Sequence, residues 1–209
     1  METKLLERLW TELCRKYTED HELVASLWNE LKAAYTHPSR HYHSLKHVQA
    51  MTDLALQYKS ELKDLDVLLF SIFYHDIVHQ SSSKDNELRS AQLAKSRLRE
   101  LGLDIAKTEK VYQQIIATKN HEAQGDPDCN FLLDFDLSVL AGTREEYQEY
   151  CAKVRKEYQI YPNFIYRKGR KKVLRHFLEQ EAIFKTEVFY NLYEQDARFN
   201  LKQELAALS

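Results

Sequence analysis

The chain of 209 residues is 44% hydrophobic and 30% charged, which excludes a disordered chain too polar to build a core. Its 30 Lys and Arg stand against 32 Asp and Glu, so no single-sign field exists and a general nucleic-acid binder is disfavoured. With only 4 Gly and 3 Pro there are too few breakers for the tight turns of a sandwich or barrel, and an all-α fold is expected.

The length sits at the upper end of what one hydrophobic core supports, so a single domain over 1–209 is expected. Cys14, Cys129 and Cys151 are an odd number without a close pair, which makes neither a disulfide framework nor a thiolate knuckle. A reducing, cytoplasmic setting follows as an expectation. The N-terminus is charged every few residues and no apolar run approaches ~20 residues, so no membrane partner is expected either.

Apolar residues recur at helical spacing from Leu5 to Leu13 and from Leu23 to Leu31, which predicts two opening helices, the second ending near His37-Pro38. A third helix is predicted to carry His43, His47, Met51 and Leu54 on one stripe. The run from Val67 to Tyr74 is apolar on nearly every side, as suits a central helix packed all round. Asp85 and Asp104 are placed to cap the next two helices, the first stopping at Gly102 and the second reaching about His121. EAQGDPDCN reads as a loop, and Thr143 with Glu146 forms a capping box for a helix ending around Tyr161-Pro162. Two or three amphipathic helices close the chain, with Phe177, Ile183, Phe184, Val188 and Leu192 inward and KGRKK exposed. No linker marks a domain cut.

Histidine placement carries the chemistry. His43 and His47 are four apart, as are His75 and His79, so on a helix each pair would project from one face and could converge on an ion. Adjacent His75 and Asp76 point about 100° apart, and can hold one metal only where a helix end faces it. Other helices must complete the shell, with Asp134 or Asp136 as candidates, only one of which should reach the ion. Imidazole and carboxylate together suit Mn, Zn, Ni, Co or Fe, and Mg at the oxygen-rich end.

The order His47, His75-Asp76, Asp136 resembles the HD-domain superfamily of metal-dependent phosphohydrolases. The strings YHSLKH, YHDIVH and FDLS are also similar to cyclic-nucleotide phosphodiesterase motifs. The resemblance implies a helical bundle with its motif core at about 40–142 and a helical extension over about 143–209. It implies a divalent metal on His47, His75, Asp76 and Asp136, the last preferred to Asp134 because it precedes Leu-Ser. His43 becomes the general acid, Asp76 a catalytic residue as well as a ligand, and Glu87 a catalytic carboxylate that orders a metal-bound water. His79 and His121 become ligands of a second ion. The implied reaction is hydrolysis of a small-molecule phosphoester, a nucleotide or related compound, by metal-activated water.

By charge alone, Lys119 and Arg167 or Arg170 are expected as phosphate contacts. The chain has Ile77-Val78-His79 where many relatives place a lysine after His-Asp, which removes that phosphate contact and leans towards a second metal. The alternatives are a di-iron oxygenase on the same scaffold and a non-catalytic nucleotide sensor. Nucleic acid is disfavoured as a partner despite the Arg167–Lys172 run, and oligomerisation is left open.

Overall fold

The apolar run Val67 to Tyr74 is the buried element around which the first part of the computed structural model, describing residues 2–208, is assembled. The chain is all-α. Its helices are α1 (Glu2–Cys14), α2 (His21–Tyr35), α3 (Leu45–Gln57), α4 (Leu65–Tyr74), α5 (Asn86–Glu100), α6 (Ile105–Ala117), α7 (Pro127–Leu137), α8 (Arg144–Glu157), α9 (Asn163–Glu179) and α10 (Glu187–Ala207), with a short 3-10 turn at Ser138–Ala141. No strand occurs among the described residues, and no helix among them is long and apolar enough to cross a membrane.

The chain divides into two compact units, one up to Leu132 and one from Leu133 onward. The division falls inside α7, so no polar linker marks it, which is why the sequence reads as a single domain with an extension from about 143.

In the first unit α4 packs against α3, α5 and α6. Every side chain from Val67 to Tyr74 is buried, each worth roughly 1.5–3 kcal/mol where it is large and apolar. Trp10 of α1 meets Phe70, Phe73 and Tyr74 edge-on at centroid distances of 5.9, 5.2 and 5.9 Å, and its indole N–H donates to the Val24 carbonyl at 3.1 Å. Asp128, fully buried, accepts from the backbone N–H of Lys63 and Asp64 and from Lys110 Nζ, which fixes the entry to α4.

In the second unit α10 packs against α9 and the 3-10 turn, where Asn200 Nδ2 donates to the carbonyls of Leu140 and Gly142, both at 2.9 Å. Phe184, Phe189 and Tyr193 cluster with Phe135 in its core. Buried Glu194 accepts from the backbone N–H of Ile183 and Phe184, ordering the loop ahead of α10.

The capping box at Thr143 and Glu146 and the Asp104 cap on Lys107 N form as the sequence predicts. Asp85 stands at the N-cap of α5 without a side-chain cap bond. Gly102 sits at φ +90°, the left-handed stop expected of a glycine there. Four expectations differ. PDCN is helical, because Pro127 opens α7 where a missing N–H costs nothing. The Thr143 helix ends at Glu157 rather than near Tyr161. Leu192 faces outward, and within KGRKK Arg170 is buried.

Candidate metal centre

Helices end where the site begins. His47 lies in the first turn of α3, but His43 precedes the N-cap Ser44, whose extended backbone (φ −118°, ψ 179°) keeps His43 off the helix. His75 is the C-cap of α4, and Asp76 to His79 run on as irregular backbone. The expected one-turn pairing of His43 with His47 and of His75 with His79 on helix faces is therefore corrected: each pair straddles a helix end, and the bends bring the rings together.

Side chains elsewhere in the first unit hold those bends. Arg40 Nη1 donates to the carbonyls of His43 (3.1 Å) and Asp76 (2.7 Å), and Nη2 to that of Ile77 (2.8 Å). The guanidinium lies 5.2 Å from the Tyr35 ring centroid. Tyr35 Oη donates to the Phe73 carbonyl at 3.0 Å and accepts from Asp76 N. Ser90 Oγ bonds both N–H and carbonyl of Val78, and the Asn86 amide both those of Gln80. With these carbonyls and amides taken, α4 cannot continue.

The chemistry lies in the ring orientations. His75 Nδ1 is 2.8 Å from the Ile72 carbonyl, an acceptor only, so Nδ1 carries the proton and the Nε2 lone pair points the other way. That Nε2 is 3.3 Å from His47 Nε2 and 3.2 Å from Asp76 Oδ2. Two nitrogen ligands ~2.1 Å from one ion at ordinary angles stand roughly 3.0–3.4 Å apart, so the pair fits a shared divalent cation. His43 Nε2 is 3.8 Å from Asp76 Oδ2, and the His43 ring stacks on that of His79 at 4.2 Å. Ligand atoms of His43 and His79 also come within 4.8 Å of each other. Burial alone would raise the Asp76 carboxyl, but the facing His75 and His43, then His79, hold it well below the ordinary carboxylate range. The pairs His47 with His75 and His43 with His79 each bring ligand atoms close enough to share a metal ion.

The two aspartates of α7 have different surroundings. Asp134 is fully buried within the second unit, where its carboxylate accepts from Lys185 N (2.6 Å), Thr186 N (2.8 Å) and Thr186 Oγ1 (2.6 Å). Burial pushes its carboxyl up to about 6 against those donors. It is a staple for the turn into α10, whereas Asp136 lies half-buried in the last turn of α7.

Glu87 lies half-buried in the first turn of α5. His121 ends the turn after α6 at φ +52°, with its N–H on the Ala117 carbonyl, and joins no group of three close ligand atoms among the described residues. Lys119 and Arg167 are exposed. Arg170 is corrected as a phosphate contact: it is buried, bidentate on Glu204 at 2.7 and 2.8 Å, and donates to Tyr150 Oη. Cys129 is buried and its thiol is pushed up to about 12, as befits a small core side chain.

Arg40, Tyr35, Ser90 and Asn86 escape a reading built on metal-ligand types, since their partners are backbone atoms distant in sequence. Glu157, a buried carboxylate closing α8 in the second unit, also carries no sequence signal. No protein-family model, curated protein or solved structure matches the chain.

Proposed function

We propose that the protein is a metal-dependent phosphohydrolase acting on a small-molecule phosphoester, with a nucleotide as the leading substrate class. The observation that carries this reading is the meeting of His75 Nε2 with His47 Nε2 and Asp76 Oδ2 at 3.3 and 3.2 Å, on a ring whose other nitrogen is bonded to Ile72 O. His47, His75 and Asp76 would hold the ion, joined by Asp136 as the sequence order implies. A divalent ion there acidifies water and neutralises phosphate oxygens. The mixed nitrogen and oxygen donors accept Mn, Zn, Ni, Co or Fe, with Mg the least suited.

His43 does the remaining work. It is partly open to solvent, and its Nε2 stands 3.8 Å from Asp76 Oδ2, so it is placed to pass a proton at Nε2 to a departing alkoxide. Glu87 remains a proposed water-ordering carboxylate, and Lys119 and Arg167 proposed phosphate contacts. The experiment is hydrolysis of a panel of nucleotide monoesters and diesters by the metal-loaded protein, alongside His75→Ala and His43→Gln. Turnover lost in both, with metal lost only from His75→Ala, is expected. Absence of turnover across the panel with metal content verified overturns the reading.

A di-iron oxygenase is the second reading, favoured by the stacked His43 and His79. It requires about two tightly held irons per chain and oxygen uptake, and His43 would then be a ligand rather than an acid.

A further inference from the structure

Helix α9 carries Arg167, Lys168, Lys171, Lys172 and Arg175 within nine residues of a chain whose net charge is −2. At 100° per residue, Phe164, Lys168, Lys171, Lys172 and Arg175 fall on one arc of the helix, with Ile165 at its edge. Lys168, Lys172 and Arg175 are exposed, and none of these three makes an ion pair among the described residues. At the N-terminal end of the arc stand three large apolar side chains open to water, Phe164 at 73%, Ile160 at 62% and Ile165 at 45% exposure.

The apolar end is firmly built. Arg155 donates to the carbonyls of Tyr158 (2.9 Å) and Tyr161 (3.1 Å) and to Asn163 Oδ1 (2.8 Å), and lies 4.6 Å from the Tyr166 ring centroid. The turn that bears Ile160 and leads to Phe164 is thus tied to α8 with its apolar side chains turned outward. Midway along the helix Gly169 faces open space, since a Cβ there would meet nothing within 4 Å.

We propose that this face of α9 docks on an anionic lipid surface, its cations along the phosphate headgroups and Ile160, Phe164 and Ile165 inserted at the acyl boundary. Charge complementarity selects an anionic partner. The apolar side chains stand together at one end of the cation row, and two of the three are isoleucines with no ring to stack a base, which selects a lipid surface over RNA, whose binding faces interleave aromatic rings with cations. The expectation of no membrane partner came from the lack of a spanning segment, and surface attachment needs none.

The test is cosedimentation of the full chain with vesicles of phosphatidylcholine alone and of an equal mixture with phosphatidylserine. Binding only to the anionic vesicles, weakened by salt, is expected. Lys168→Gln with Lys172→Gln should weaken it roughly fivefold for each cation removed. Phe164→Ser, at unchanged charge, should weaken it on the order of tenfold. Circular dichroism of each variant, unchanged from the parent, ties the loss to the surface. No binding to anionic vesicles, binding indifferent to these substitutions, or binding to single-stranded RNA in place of vesicles overturns the proposal.

Discussion

Arg40 donates to the Asp76 carbonyl at 2.7 Å, so the backbone behind the candidate metal ligand is held by a cation from the other side of the bend. The same guanidinium reaches the carbonyls of His43 and Ile77 and stacks on Tyr35. Hydrogen bonds to a charged group contribute about 1.5–3 kcal/mol each at most, and loss of groups that orient metal ligands typically costs 10–100-fold in metal affinity. Arg40→Ala is expected to lower stability by about 2–3 kcal/mol and metal affinity by at least ~10-fold. Arg40→Lys should recover little of either, because a point charge cannot span three carbonyls. Denaturant titration with parallel metal-binding isotherms checks both; an unchanged isotherm in Arg40→Ala would mean that the bend orients itself.

His75 Nε2 and His47 Nε2 face each other at 3.3 Å with the His75 proton committed to Ile72 O. Two lone pairs in that position repel unless a cation or a proton lies between them. A bound ion therefore stabilises the folded chain, by about 2.7 kcal/mol at a hundredfold excess over its Kd. Calorimetry is expected to show a higher unfolding midpoint with Zn or Mn and a lower one with chelator, while His75→Ala responds to neither. A midpoint indifferent to metal in the parent chain would remove the basis for a metal centre.

The two aspartates of α7 should separate cleanly. Asp134 is a carboxylate with three donors on it, and an amide in its place turns an N–H₂ towards donors that need an acceptor. Asp134→Asn is expected to cost about 2–3 kcal/mol of stability while metal binding persists in the folded fraction. Asp136→Asn, at the position the sequence order marks as a ligand, should cut metal affinity. Metal analysis of both variants after refolding decides it, and the reverse pattern would exchange their roles.

The sequence makes some of this legible because certain signals are local. Val67 to Tyr74 announces a buried helix by being apolar on all sides, and Thr143 with Glu146 announces a helix start by spacing alone. His75-Asp76 stands out for its residue types. Where the helices stop is less readable: α3 and α4 end at the site because Ser44 is extended and because Arg40, Ser90 and Asn86 capture backbone groups between residues 76 and 80, contacts with no sequence period. The division at Leu133 is hidden for a related reason, as a helix crosses it. Charge alone misleads at Arg170, where only the packing reveals Glu204 as its partner.

That pair gives the last prediction. Arg170 and Glu204 are bidentate with side chains only 7% and 11% exposed, and Tyr147 Oη donates to Glu204 at 2.6 Å. Burial alone would raise the Glu204 carboxyl, but the Arg170 guanidinium and the tyrosine more than offset it, so the carboxyl lies below its ordinary value of 4.5. A carboxyl depressed on folding contributes stability that is fully present above its unfolded pKa and is lost as pH falls through the folded one. The parent chain should therefore lose stability on acidification below the ordinary glutamate range, and Glu204→Gln should flatten that part of the pH profile. At neutral pH Glu204→Gln leaves Arg170 buried without its counter-charge and is expected to cost about 3 kcal/mol or more. Arg170→Met with Glu204→Leu, removing both charges, should return near the parent stability. Urea titrations of the three variants between neutral and acid pH provide the measurement; a double variant as unstable as Glu204→Gln would show that the aliphatic replacements fail to fill the space between α9 and α10.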